Sequence, residues 1–264
     1  MNAWFHLVKK ELHNGALAFF SLLIGFLVVG GMVFYFSSRA EVGAEGLMIF
    51  TAAAIMMHVF YLLYYLFVSL HNERKKLHLW LHNSLPSYSL LLAKVAAGLI
   101  SMGVSLTIVF ITFFISSQYA EYFHDQLSLL NLTELSLFGS VHIILIALSF
   151  AAWFLLYAMV HFAIRSRLNG FLSFLCTAIF VVVTLRAYSW FAQTNLYETL
   201  TMWGAFQPPE IVTGLEWELT QNQVDLSMQG SPFTLFIGSY VLETIVSITI
   251  FLLACWLLER KVEV

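Results

Sequence analysis

The chain has 264 residues, of which 60% are apolar, 16% aromatic and only 10% charged. Ordinary soluble domains are about half apolar and about one quarter charged. This composition therefore excludes a soluble domain and indicates a protein that lies in a lipid bilayer. The net charge of -3 conceals an uneven distribution of basic residues along the chain.

Six apolar segments are long enough to cross about 30 Å of hydrocarbon as α-helices. They are residues 16–36, 47–70, 89–115, 139–164, 170–190 and 233–258. In the third, small residues recur at every fourth position, namely Ala93, Ala97, Ser101 and Ser105, which predicts a narrow face for close helix packing. We therefore predict an all-α membrane protein, with six transmembrane helices in a single transmembrane domain over residues 1–264.

The lysines and arginines divide sharply between the two sides of this arrangement. Of the 12 in the chain, only Arg39 and Arg186 fall on one side, and all the others fall on the opposite side. Basic residues near span ends collect on the cytoplasmic side of a membrane. We therefore expect both termini in the cytoplasm, an acidic exterior and a multi-pass location in a bacterial cell membrane.

Residues 1–14 have the pattern of an interfacial helix on the cytoplasmic leaflet. At helical spacing, Trp4, Phe5, Val8 and Leu12 share one face, and the opposite face is basic. Helices with this division lie along a membrane surface. The simpler alternative is a positively charged flank that only fixes the orientation of the first span.

The longest loop, residues 191–232, is predicted to be external. A short helix over 197–206 is expected to dip into the outer interface, because it carries large apolar residues and few charges. Apolar and acidic or polar residues then alternate over 215–228, across a turn at 221–222. This alternation predicts a small β-hairpin with an acidic face.

Two polar residues, His58 and Glu243, fall near the middle of predicted spans. A polar side chain at that depth needs a partner, because an unpaired group in hydrocarbon costs several kcal/mol. Counting about 1.5 Å per residue from the outer span ends places both near the midplane. They are expected either to pair with each other or to be satisfied separately, by tyrosine, serine or backbone carbonyl groups or, for Glu243, by protonation.

Residues 71–86 form the one long polar interval between spans that is basic. Asn72 is a candidate helix N-cap, and Pro86 ends the pattern. Apolar residues recur at helical spacing between them, at Leu77, Trp80, Leu81 and Leu85. A short amphipathic helix between two spans is suited to docking against a cytosolic partner.

Motifs for nucleotide, metal and acyl-transfer chemistry do not occur in the chain. GxxxxGK[ST], HExxH, CxxC and GxSxG are all absent from the sequence. No metal site is expected from the spacing of the histidines, and the two cysteines lie within spans. An enzyme is therefore disfavoured, and this chain is not expected to hydrolyse ATP by itself.

The layout resembles the permease subunits of ABC-2 type transporters. The resemblance covers the order of an interfacial helix, two spans and a basic amphipathic segment that ends in Leu-Pro-Ser. Its more specific parts are Lys9-Lys10-Glu11-Leu12 and the run from Asn72-Glu73-Arg74 to Lys94. The predicted hairpin departs from the short re-entrant loop common in that family.

This resemblance implies that residues 71–86 are a coupling helix that contacts a separate ATP-binding subunit. Its contact residues would be Glu73, Arg74, Leu77, Trp80, Leu81, Leu85 and Pro86. ATP and Mg would then be held by that partner, with no cofactor on this chain. A second permease chain, identical or different, would complete the transport pathway in the lipid, and no nucleic-acid partner is expected.

Three functions are weighed on this basis. The first is an ATP-driven exporter of hydrophobic or amphipathic cargo, with antimicrobial or toxin peptides among the candidates. The second is a membrane immunity or sensor protein that binds a cationic ligand without transporting it. The third, ranked last, is an intramembrane enzyme acting on lipid, which would need His58 and Glu243 to work together.

Overall fold

The computed structural model describes residues 3–73, 86–121, 132–165, 167–206, 213–220, 223–232 and 234–260. Of these, residues 213–220 and 223–232 are described as backbone only. Nine α-helices occur in these ranges. They are α1 (Ala3–Asn14), α2 (Ala16–Ser38), α3 (Gly43–Met57), α4 (Tyr61–Glu73), α5 (Ser87–Gln118), α6 (Leu132–Arg165), α7 (Gly170–Phe191), α8 (Asn195–Thr201) and α9 (Ile237–Arg260). Four strands accompany them, namely β1 (Ala205–Phe206), β2 (Thr213–Thr220), β3 (Gln223–Pro232) and β4 (Leu235–Phe236).

Six helices in the described ranges are long and apolar enough to cross a membrane. They are Ala16–Ser38, Gly43–Asn72, Ser87–Gln118, Leu132–Arg165, Gly170–Phe191 and Ile237–Arg260. The number of predicted spans is therefore confirmed. The last span starts at Ile237 rather than residue 233, because Leu235 and Phe236 pair as a short strand with Phe206 and Ala205.

The second span contains a tighter turn at its centre, the 3-10 segment His58–Phe60 between α3 and α4. The cause is local. The His58 ring bonds to the carbonyl of Ala54, which the His58 backbone N–H would use in a regular α-helix. That N–H bonds to the carbonyl of Ile55 instead, so the turn closes with 3-10 geometry.

Helices α5 and α6 form the centre of the bundle. The four small residues predicted to face a neighbour, Ala93, Ala97, Ser101 and Ser105, are all buried. In contrast, α2 and α7 are peripheral, since Ala18 and Gly30 are the buried residues of α2 and Ser173 is that of α7. The apolar remainder of these two helices faces outward, as expected where lipid is the solvent.

The close packing of α4 on α5 depends on Gly98. A Cβ atom at this position would lie 2.5 Å from Cδ1 of Leu62 and 2.9 Å from Cδ1 of Tyr65. Tyr65 is fully buried and donates a 2.8 Å hydrogen bond from its hydroxyl to the backbone carbonyl of Glu11. The absent side chain of Gly98 thus lets α4 approach α5 closely enough to reach the N-terminal helix.

Helix α1 packs against α5, with further contacts to α2 and α4. Its inner face contains the buried residues Leu7, Val8 and Glu11. Phe5 lies outside this face and is exposed, although the sequence places it with Val8. The buried face of α1 therefore includes Leu7 and Glu11, which the predicted apolar face does not, and leaves out Phe5.

Strands β2 and β3 pair antiparallel, with Leu219 opposite Val224 and Thr220 opposite Gln223. The turn that the sequence predicts at 221–222 lies outside the described residues. The acidic face predicted for this hairpin concerns side chains outside the described part of the chain. The short helix predicted over 197–206 corresponds to α8, which ends at Thr201. The end of the predicted range is not helical, because Ala205 and Phe206 form strand β1.

Candidate functional site

A groove of about 660 Å³ lies between α5, α6 and α9. Helix α5 lines it with Leu92 and Val95. Residues of α6 from His142 to Leu155 and of α9 from Ser239 to Phe251 form the other walls. Leu92, Ile146 and Ile248 line the groove and are also exposed, so it opens sideways. Its volume is in the range of about 300–1,000 Å³ that is typical of sites for one small ligand.

The two ends of this groove differ in polarity. Toward the start of α9 the lining includes His142, Ser239, Tyr240, Glu243 and Thr244. Toward the other end it is apolar, with Leu92, Val95, Leu155 and Phe251. Between Ser239 and Phe251 the groove runs roughly 18 Å along the helix axis, so it offers a polar head region and an apolar tail region.

Glu243 is the acidic group of the groove. The hydroxyl of Tyr188 on α7 donates a hydrogen bond to its Oε1, and the carboxylate is half-buried. No lysine or arginine occurs among the described residues that line the groove. The described groove wall therefore carries one acidic side chain, Glu243, and its one basic side chain is His142.

His142 lies in the same polar region. Its Nδ1 is 2.8 Å from the carbonyl oxygen of Phe138, and a carbonyl oxygen only accepts, so Nδ1 carries the proton. In the neutral ring Nε2 is then an acceptor, and the hydroxyl of Tyr240 donates to it. No role is predicted for this histidine from the sequence, because nothing in the spacing of His142 and Tyr240 indicates that α6 and α9 meet there.

His58 and Glu243 have separate partners, which is one of the two alternatives left open by the sequence. Nδ1 of His58 donates to the Ala54 carbonyl at 2.7 Å, and Nε2 lies 3.1 Å from Oγ of Ser105. Its ring is also stacked on Tyr61, with centroids 5.6 Å apart. His58 is thus satisfied by its own helix and by α5, while Glu243 bonds to α7.

A second polar cluster lies at the basic end of the bundle. Nζ of Lys94 is 2.6 Å from Oε2 of Glu11, and both side chains are almost completely buried. Oγ of Ser69 lies 3.0 Å from the lysine Nζ and 3.2 Å from the same carboxylate oxygen. This basal cluster of Glu11, Ser69 and Lys94 joins α1, α4 and α5.

Lys94 is one of the basic residues that the sequence assigns to the cytoplasmic side, and in the structure its side chain is buried. The lysine lies inside the bundle and donates to Glu11 and Ser69. Its burial could have been expected from spacing, because Leu91, Lys94, Gly98, Ser101 and Ser105 follow one helical stripe. The partner on α1 had no such signal.

A further hydrogen bond links the start of α5 to the end of α9. Oγ of Ser87 donates to Oε1 of Glu259 at 2.7 Å. Ser87 follows directly after Pro86, the last residue of the predicted coupling helix. Both helices that lead into and out of that segment are therefore tied to other parts of the bundle, α4 through Ser69 and α5 through Lys94 and Ser87.

The predicted coupling residues are described only at the margins. Glu73 is the last residue of α4, and Pro86 precedes α5 in an extended conformation. Arg74, Leu77, Trp80, Leu81 and Leu85 lie outside the described residues. In the ranges that are described, no group of three or more His, Cys, Asp and Glu side chains is placed to hold a metal ion.

Comparison of this chain with models of known protein families, with curated proteins and with solved structures gives no match. The similarity to ABC-2 permeases thus rests on the motifs and layout of the sequence alone.

Proposed function

We propose that this chain is the permease subunit of an ATP-driven ABC exporter in a bacterial cell membrane. It works with a separate ATP-binding subunit, which holds ATP and Mg, and with a second permease chain. The chain itself is not an enzyme. Its cargo is hydrophobic or amphipathic, and both of its termini are cytosolic.

The observation that carries this proposal is the way the helices around residues 74–85 are anchored. Ser69 near the end of α4 and Lys94 near the start of α5 meet at one carboxylate, that of Glu11. A buried ion pair with short hydrogen bonds holds its geometry, because separating it leaves a charge without compensation. Force applied to residues 74–85 would therefore move α1, α4 and α5 together.

The same anchoring reaches the groove. Ser87 couples the start of α5 to the end of α9, and these two helices form two of the three groove walls. A displacement at the basic end of the bundle thus has a mechanical route to the region around Leu92 and Phe251. Such a route is what a transporter needs when hydrolysis occurs on another subunit.

A binding protein without transport is the second candidate, and the groove carboxylate Glu243 favours it as much as it favours an exporter. The two functions differ in their partner. An exporter subunit copurifies with an ATPase whose hydrolysis it modulates, whereas a sensor or immunity protein retains its ligand with no ATPase attached.

The test is the double change Trp80→Ala with Leu81→Ala. Large apolar side chains at the centre of a helix-in-groove contact dominate its energy, and each truncation costs about 2 kcal/mol or more. We expect this variant to insert normally and to lose the ATPase on copurification, or to uncouple hydrolysis from transport. Unchanged ATPase binding and transport would contradict the proposal.

The matched control is the double change Lys75→Ala with Lys76→Ala in the same segment. Exposed charges at the rim of an interface contribute little, typically about 1 kcal/mol or less. The control should therefore keep most of the ATPase. Expression and membrane insertion are measured for both variants, so that loss through poor insertion is not counted as support.

A further inference from the structure

The groove between α5, α6 and α9 combines three properties in one place. It holds the half-buried carboxylate of Glu243, it is apolar at the opposite end, and it opens sideways through exposed lining residues. We propose that it is a binding site for a single-chain amphipathic cation, with the cationic head at Glu243 and the apolar tail along α5 and α6 toward Phe251.

Charge selects the head group. Glu243 receives one hydrogen bond from the Tyr188 hydroxyl, and the described lining holds no lysine or arginine. Its one basic side chain, His142, bonds through its two ring nitrogens to the Phe138 carbonyl and the Tyr240 hydroxyl. A carboxylate within a membrane span is costly unless it is compensated. A ligand ammonium group placed against Glu243 supplies that compensation, whereas the phosphate of a phospholipid would be repelled.

Shape selects the tail. From Glu243 to Phe251 the groove extends roughly 12 Å along α9, which suits most of one extended alkyl chain. Val95 and Leu155 form its apolar end. With a volume of about 660 Å³, the site is the size of one small ligand.

The direction of the groove in the membrane is compatible with entry of the ligand from the lipid. In the topology predicted from the basic residues, the start of α9 is external. Because α9 starts at Ile237 rather than at residue 233, Glu243 lies only about 9 Å into the helix, which is closer to the outer surface than the midplane position expected from the sequence. An amphipathic cation in the outer leaflet has its head outward and its tail toward the bilayer centre, and the groove has the same polarity. The sideways opening at Ile146 and Ile248 lets such a molecule move from lipid into the site without turning over.

The conclusion that such a cation is the transported cargo rests on the proposed function. Binding of the cation to the groove can be measured on this chain alone. The probe is isotope-labelled dodecylammonium, added to the full chain in nanodiscs of phosphatidylcholine, with empty nanodiscs as the background. We expect saturable binding. Removing the carboxylate with Glu243→Gln should weaken it by about tenfold or more, because a hydrogen bond to a charged group is lost.

Two variants keep the result interpretable. Glu198→Gln removes an exposed carboxylate on α8 and should leave the affinity unchanged. Ser247→Phe keeps Glu243 but fills the groove, where Ser247 lines the wall, and it should abolish binding through shape alone. Equal binding by all of these variants and the unmodified chain would overturn the proposal.

Competition separates the possible occupants. Unlabelled dodecylammonium should displace the probe, while dodecanol, which has the same chain without the charge, should displace it poorly. Equal displacement by dodecanol, with no effect of Glu243→Gln, would mean that the groove holds any lipid chain, and the proposed site would be wrong.

The two proposals fail in distinguishable ways. If the probe binds as expected but no ATPase copurifies, the cation site stands and the exporter function fails. If an ATPase copurifies through Trp80 and Leu81 but no probe binds, the permease function stands and the site fails.

Discussion

At the scale of single residues, the ion pair between Lys94 and Glu11 matters most for the stability of the described bundle. Both are buried, and taking two charges out of water carries a desolvation cost that only close pairing offsets. The 2.6 Å contact and the hydroxyl of Ser69 supply that pairing. The net contribution of such a pair to stability is small, but the loss of one partner is costly.

This asymmetry gives a test at the same scale. The single change Lys94→Met should destabilise the chain by about 3–5 kcal/mol, since the buried carboxylate of Glu11 loses its lysine. The double change Glu11→Met with Lys94→Met should recover most of that loss, because no charge then remains buried. Thermal unfolding in detergent micelles measures both.

The control is Lys9→Met, which removes an exposed lysine of α1, the helix that carries Glu11. It should change the unfolding temperature little. If Lys94→Met proves no more harmful than Lys9→Met, then Lys94 is not buried against Glu11 in the folded chain.

At the scale of elements, α5 organises the bundle because one of its faces lacks bulk. The small residues of this face are buried, and van der Waals contact through small side chains is a main source of helix association in lipid. Tyr65 of α4 fills the space that this face leaves open, and its hydroxyl reaches the backbone of α1. The packing of α4 on α5 thereby also positions the N-terminal helix.

Two glycines of α5 test this packing against each other. A Cβ atom at Gly98 would meet Leu62 and Tyr65 at 2.5 and 2.9 Å, whereas one at Gly103 would meet nothing within 4 Å. We expect Gly98→Ala to destabilise the chain by roughly 1–3 kcal/mol through overpacking. Gly103→Ala should be neutral or slightly stabilising, because alanine favours the helix.

Both variants are compared by their midpoint of thermal unfolding in the same detergent. Equal effects of the two alanines would show that α4 does not approach α5 at Gly98. A loss for Gly98→Ala alone supports the contact, since the two changes are chemically identical.

At the scale of the whole molecule, six apolar helices form the bundle. The basic residues in the described part of the chain lie mostly at one end of it. From the positive-inside rule we expect that end to face the cytoplasm. Burial of Lys94 removes one charge from the count, and the remaining division is still strongly one-sided. The predicted orientation thus does not depend on that lysine.

Orientation is tested with single cysteines in a chain whose Cys176 and Cys255 have been replaced by alanine. Cysteines at Lys76 and Arg260 should be protected from a membrane-impermeant thiol reagent in intact cells, and one at Gln221 should react. Reaction of the first two from outside would reverse the assigned topology. Permeabilised cells provide the control, because all three positions should then react.

The number of spans and the small-residue face of α5 were predictable from the sequence. These features depend on length and local periodicity, which are properties of neighbouring residues. The 3-10 turn at His58 was not expected, although its cause is local, because it depends on which carbonyl the histidine ring takes.

The contacts between polar groups of different helices depend on tertiary packing and could not be predicted from the sequence. Periodicity predicts which residues share a helical face, but not which helix that face contacts or at what height. Lys94 and Glu11 are 83 positions apart, and Glu243 finds Tyr188 rather than His58. In lipid, many mutual placements of apolar helices have similar energies. The pairing of their few polar groups is therefore set by the packing of the complete bundle.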